Sequence, residues 1–146
     1  NEEAFRFACY HRYLDVAKWL LLVKPDINIS AQNEGAFHCS CCHGHLKVAK
    51  WLLSVKPDID ISYDNNCVFR YTCHSYLYRA DCKYLKVAKW LQTLKPYLYV
   101  IEYDINGNYT GYKIRSKEEA NWEKRKYALH LALQEETNIM YYLLKI

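Results

Sequence analysis

The chain has few of the residues that interrupt regular structure: its 146 residues hold four Gly and three Pro. Four scattered glycines leave no phosphate-cradling loop, which removes the commonest sequence sign of nucleotide chemistry. No apolar run approaches the ~18 residues that a membrane-crossing helix needs. No secretory leader is expected either, because Asn1-Glu2-Glu3-Ala4-Phe5 is acidic where such a leader is basic. There is no initiating Met, which suggests a piece of a longer chain. One-sided charge is lacking too. The net charge is +4 with a pI near 8.6, evenly spread, so neither nucleic acid nor a membrane surface is an expected partner. The seven cysteines cannot all pair, and reduced thiols in an intracellular, cytoplasmic setting are the simpler expectation.

What is present fits a folded domain: 51% apolar and 25% charged residues. Fifteen Tyr supply rings with one polar end, suited to half-buried positions and contact surfaces.

The strongest signal is self-similarity. Leu14-Asp15-Val16-Ala17-Lys18-Trp19-Leu20-Leu21 returns 32 residues later as Leu46-Lys47-Val48-Ala49-Lys50-Trp51-Leu52-Leu53. It returns after a further 39 as Leu85-Lys86-Val87-Ala88-Lys89-Trp90-Leu91-Gln92. Between residues 1–30 and 33–62, twenty of thirty positions are identical. Phe5, Phe37 and Phe69 share one step of 32, as do Cys9, Cys41 and Cys73. Each copy reads as two short helices. Ala4, Phe5, Ala8 and Cys9 share a face of the first, and Val16, Ala17, Leu20 and Leu21 a stripe of the second. Lys-Pro at 24–25, 56–57 and 95–96 then stops the second helix. Residues 26–30 alternate apolar and polar, as a short strand does. One such unit cannot bury its apolar face alone, so a stack is expected.

The run Gly35-Ala36-Phe37-His38-x-Ser40-Cys41-x-x-Gly44-His45-x-x-Val48-Ala49-x-x-Leu52-Leu53 resembles the ankyrin repeat. The variant with Val-Ala-Lys-Trp-Leu and Lys-Pro-Asp-Ile resembles ankyrin proteins of giant, mimivirus-like DNA viruses. The resemblance implies a mainly α fold, an ankyrin-type α-solenoid of helix–turn–helix repeats with β-hairpin fingers, one of them enlarged. A single domain over residues 1–146 is expected, with repeats at about 1–32, 33–64 and 65–104 and a degenerate fourth at 105–146. It also implies a non-catalytic, cofactor-free scaffold, monomeric, that binds a protein partner, a host protein if the chain is viral; the alternative expectation is the structural C-terminal end of a longer repeat array. In the first copy Arg12-Tyr13 stands where the family's Gly-His turn is expected, which leaves that turn's geometry open.

Three segments depart from the repeat. The third copy carries seven extra residues within 75–84, equal to two helical turns, so one or both helices can lengthen without rotating their buried faces. That segment is expected to protrude, as repeat decay or as a contact bump. Residues 97–117 alternate around Asn106-Gly107, a pair suited to a two-residue hairpin turn, and form the enlarged finger. Its tyrosines either touch a partner or cover the end of the stack. Beyond it, Ser116-x-x-Glu119 is a helix-start capping box. Glu135-Glu136-Thr137-Asn138 reads as a turn before a last helix at 139–144, with Tyr142 in the Trp19 register. Lys124, Arg125 and Lys126 share their segment with Glu118, Glu119 and Glu123 and read as a solvated face.

Cys39-Ser40-Cys41-Cys42-His43-Gly44-His45 suggests a metal or redox site. The register opposes that reading: Cys9, Cys41 and Cys73 repeat at a core position, where Cys acts as a small apolar residue, and no C-x-x-C module is present. No metal site is therefore expected. A Cys–His pair among Cys39, Cys42, Cys67 and His74 lacks an orienting third group. Trp19, Trp51 and Trp90 read as packing between repeats.

By the family's pattern the concave surface combines first helices and fingers. The matching positions are Phe7, Tyr10, Cys39, Cys42, Tyr71 and His74 on first helices, and Gln32, Asn33, Tyr63, Asp64 and Asn65 at finger tips. Tyr103 and Tyr109 on the long hairpin join them on physical grounds, as aromatic anchors.

Overall fold

The computed structural model describes residues 2–143. Their order is α1 (Glu2–Tyr10), α2 (Leu14–Val23), α3 (Ala31–Cys42), α4 (Leu46–Val55), α5 (Tyr63–Arg79), α6 (Cys82–Leu94), β1 (Tyr99–Tyr103), β2 (Tyr109–Ile114) and α7 (Lys117–Leu143). They fall into two compact bodies divided between Leu91 and Gln92.

The first body is the repeat stack. Phe5, Phe37 and Phe69 are buried, as are Cys9, Cys41 and Cys73, and Ala17, Ala49 and Ala88. These registers form the continuous core, and small residues at the last two sets let helices approach closely. Adjacent first helices pack side by side, α1 on α3 and α3 on α5. Trp51 and Trp90 pack across the joints as expected, whereas Trp19, expected to do the same, is 57% exposed. The Phe5 ring lies 6.1 Å from that of Trp51, and Phe37 lies 6.2 Å from Trp90. Ala4 and Val16, expected in the core, are exposed, whereas their counterparts Ala36, Val68, Val48 and Val87 are buried.

The turn inside each repeat is set by one left-handed residue. Gly44 has φ 75°, after which the His45 N–H donates to the Ser40 carbonyl at 2.8 Å. Arg12 stands at the same register with φ 65°, and the Tyr13 N–H donates to the Ala8 carbonyl, also at 2.8 Å. The Arg12-Tyr13 departure thus keeps the turn, at the steric cost of a non-glycine residue in that region. α2 and α4 stop where Lys24 and Lys56 cap them, each donating its N–H to a carbonyl at 2.9 Å, with Pro next.

The strand expected at residues 26–30 does not form. The segment folds into turns, held by the Ser30 N–H on the Asn28 carboxamide oxygen at 3.1 Å and the Ser30 hydroxyl on the Glu34 carboxylate at 2.8 Å. Local side-chain acceptors here compete with an extended backbone. After it, α3 opens on a left-handed turn: Gln32, Asn33 and Glu34 have φ of 55°, 56° and 61°. Asp64, Asn65 and Asn66 repeat this in α5, at 48°, 53° and 60°.

The insertion lengthens both flanking helices. α5 runs on to Arg79, where Ala80 caps it in the left-handed region, and α6 begins at Cys82, ahead of the repeated Leu85. It protrudes only in part: Leu77 and Tyr78 are exposed, while Ser75 and Tyr84 are buried.

In the second body β1 pairs antiparallel with β2, Tyr99 opposite Ile114 and Ile101 opposite Tyr112, with an irregularity between Glu102 and Tyr103. The connection is longer than the two-residue turn expected. The Asp104 carboxylate accepts the Asn106 and Asn108 N–H groups at 2.9 and 2.8 Å, and Gly107 takes φ 81°. The capping box forms in both directions: the Glu119 N–H donates to Ser116 Oγ at 3.1 Å, and the Ser116 N–H to the Glu119 carboxylate at 2.8 Å. The turn expected at Glu135–Asn138 is absent, because α7 continues through it. Glu and Gln favour helix strongly enough to carry the polar stretch. The Tyr142 register lies outside the described side chains.

Candidate functional site

In the first body, Phe7 and Tyr10 emerge from α1 and are exposed. The Phe7 ring lies 4.2 Å from His11, and Tyr10 lies 4.8 Å from His11 and 4.2 Å from His43. His43 in turn lies 6.0 Å from His45, whose Nε2 donates to the Tyr10 carbonyl at 2.9 Å. These histidines join two successive repeats to one aromatic row. His11 and His43 share one repeat register, 32 residues apart, but their meeting with Tyr10 is visible only in the fold. Burial, the largest influence, lowers the His45 pKa, so the ring is neutral at neutral pH and holds its bond as an N–H donor. Cys39 lines the same open groove as Phe7 and Tyr10.

Around the fingers, Tyr63 is exposed with its ring 5.4 Å from His38. Gln32, Asn33, Asp64 and Asn65 are all exposed, and all lie in the left-handed turns. Three consecutive residues of this kind cost about 1–2 kcal/mol each, and such strain collects at contact and switch regions. Asn and Asp tolerate the geometry best, which suits Asn33, Asp64 and Asn65 more than Gln32. Tyr71 and His74 are exposed on α5, and His74 stacks with Tyr78 of the insertion at 6.5 Å.

In the second body Tyr103 and Tyr109 meet edge to face, 6.5 Å apart at 81°. Sequence reasoning missed Ile105, which is 100% exposed at the hairpin tip. The five-residue connection between β1 and β2 lifts it clear of the strands.

The thiols are chemically quiet. Burial pushes Cys9 and Cys42 up to about 12 and Cys41 well above its ordinary value, and it raises Cys39 and Cys67 as well. A thiol held neutral is a poor nucleophile and a poor metal ligand. Among the described residues no three His, Cys, Asp or Glu side chains converge as metal ligands would. Cys67 Sγ lies 3.8 Å from Nδ1 of His38. Which of the two atoms donates depends on the imidazole tautomer, and Nε2 of the same ring is a buried atom with no hydrogen-bond partner among the described residues. Burial lowers the His38 pKa against the opposing pull of the Glu34, Asp60 and Asp64 carboxylates.

The geometry is thus a row of paired helices with exposed aromatic first-helix positions and turns between repeats. A family model described as ankyrin repeats (3 copies) matches residues 5–104. The chain belongs to the ankyrin-repeat family. No curated protein and no solved structure matches it. Ankyrin repeats are in general protein-interaction modules, and the family is typically non-catalytic. Among the described residues of this ankyrin chain, no helix is long and apolar enough to cross a membrane.

Proposed function

We propose that the chain is a non-catalytic, monomeric scaffold that binds a partner protein along its first helices and fingers. The observation that carries this reading is the exposure of large aromatic side chains, Phe7, Tyr10, Tyr63 and Tyr71, at successive variable positions of the stack. Rings presented at low conformational cost are what interface hot spots favour. The polar left-handed turns at Gln32, Asn33, Asp64 and Asn65 supply the rim. Cys39, Cys42 and His74 complete the first-helix contacts, and Tyr103 and Tyr109 add a second contact on the hairpin. The repeated Val-Ala-Lys-Trp-Leu and Lys-Pro-Asp-Ile motifs support an origin among giant-virus ankyrin proteins, with a host cytoplasmic protein as partner.

The test is a quantitative pull-down from host-cell lysate with three proteins: the chain itself, a Tyr10→Ala/Tyr71→Ala variant, and one with residues 100–114 replaced by a short loop. A saturable partner weakened at least tenfold by the first-helix variant supports the reading. A partner retained by both variants, or none with any protein, overturns it.

A further inference from the structure

We infer that the outward face built by α2, α4 and α6 in the first body is a docking surface for an acidic, Asp/Glu-rich segment of a partner protein. The contact proposed above uses first helices and fingers, so failure of either reading leaves the other standing.

Charges that are spread evenly along the chain are sorted by the fold. α2 carries Asp15 and Lys18, α4 carries Lys47 and Lys50, and α6 carries Lys83, Lys86 and Lys89, all of them exposed. Only Asp15 is acidic. The acids of the same body gather at the finger side: Glu34 and Asp64 lie in the opening turns of α3 and α5, and Asp58 and Asp60 in the connection between α4 and α5.

The lysines are also in register. Lys18, Lys50 and Lys89 hold one position of the repeat, and Lys47 and Lys86 hold the position three residues earlier. Residues three apart share a helix face, with Cβ atoms about 5–6 Å apart. The result is two cationic rows that cross the helices. At the turn edge they meet Arg12 and Lys83. Arg12 and Lys47 line one shallow depression beside Tyr13, and the Lys83 stem lies over Gly44, where an added Cβ would stand 2.5 Å from it. Burial lowers the His45 pKa, and His43, Arg12 and Lys83 push it the same way, so cations from three successive turns act on one point. Two acids oppose them: Asp15 lines the same depression, and Asp81 lies 3.2 Å from Lys83 Nζ. Among the described residues, no ion pair forms at Lys47, Lys50 or Lys86.

The chemistry of the face selects carboxylates. On α4 and α6 the cations are all lysines, point charges without the guanidinium fork that grips phosphate in two places. Trp51 and Trp90, beside Lys50 and Lys89, are half-buried against Phe5 and Phe37, which leaves nucleobases little to stack on. Helices of stacked repeats stand on the order of 10 Å apart, and an extended chain rises about 3.3 Å per residue. An acid at every third position of a crossing segment therefore meets one row.

The experiment follows the fluorescence anisotropy of a labelled oligo-glutamate peptide titrated with the chain. Binding is expected at low salt and should weaken as salt is raised. Lys47→Glu/Lys50→Glu should weaken it about tenfold or more. Lys24→Glu/Arg70→Glu, which changes net charge equally but off the rows, should shift it by less than about twofold. Lys50→Gln/Lys86→Gln removes charge without reversing it, should weaken binding about threefold, and carries the test if melting curves show that the reversal unfolds the chain. Equal weakening by the row and off-row reversals overturns the inference, as does no binding at low salt. A duplex oligonucleotide or a phosphatidylserine vesicle bound more tightly than the peptide also overturns it, since the face then serves a different class of partner.

Discussion

The Phe5 ring meets the Trp51 ring at 6.1 Å with their planes 48° apart, across the boundary between two repeats. Phe37 and Trp90 reproduce the contact at 6.2 Å and 55°, although seven extra residues separate their helices. The tilted geometry is one that aromatic pairs favour. It joins each first helix to the next repeat's second helix, so the joint is specified by one residue from each side.

Removing one half of that joint should be costly. Trp51 is half-buried, so Trp51→Ala is expected to lose about 2–3 kcal/mol, below the range for a fully buried aromatic. Trp19→Ala should lose well under half as much. Urea unfolding of the two variants side by side checks this, and equal losses would show that the joint contributes nothing.

Arg12 carries the left-handed turn that glycine carries in the next repeat. Arg12→Gly should therefore raise stability by about 1 kcal/mol, through relief of the Cβ clash. Gly44→Ala should lower it, since φ is 75° and a Cβ would stand 2.5 Å from the Lys83 side chain. Denaturant midpoints that move in the same direction for both would contradict the shared turn geometry.

Much of this architecture was legible in the sequence because the relevant signals repeat. The positions shared by Phe5, Phe37 and Phe69, or by Cys9, Cys41 and Cys73, announce a core by recurrence, and Lys-Pro marks each helix end. What was not legible depends on surroundings that no single residue reports. Val16 and Val48 sit in the same Val-Ala-Lys-Trp-Leu motif, yet one is exposed and the other buried. The left-handed turns at Gln32 and Asn33 have no glycine to signal them. The polar run from Glu135 onward looks like a turn until helix propensity is weighed against it. For the candidate site, the first-helix positions could be named by register, but the histidine row and the exposed Ile105 needed geometry.

Acid should weaken the fold. Burial lowers the pKa of both His38 and His45 below the ordinary 6.5. The folded state then binds fewer protons than the unfolded chain as pH falls, so their contribution is complete above about pH 6.5 and is lost on acidification through the folded values. The urea midpoint should drop between pH 7.5 and 5.5, and His38→Gln should flatten part of that slope. A variant with an unchanged slope would remove His38 from the explanation.

Alkylation should sort the cysteines. With Cys42 and Cys9 pushed up to about 12, their thiolate fraction near pH 8 is about a thousandfold below that of a thiol at the ordinary 9. Cys82, which is exposed, should be modified first by iodoacetamide in the folded chain, with Cys9, Cys41 and Cys42 protected until unfolding. Mass mapping of the labelled sites against time checks the order. Early labelling of Cys42 would mean that the joint around it opens easily.

The Phe–Trp joints also give the molecule a built-in optical gauge. Two of its indoles, Trp51 and Trp90, sit against phenyl rings inside the stack, while Trp19 and Trp122 face solvent. Emission from the folded chain is therefore a sum of a half-buried and a wet component. When a joint parts, only the half-buried component turns red, so the intrinsic spectrum reports on the opening of the stack without any added label.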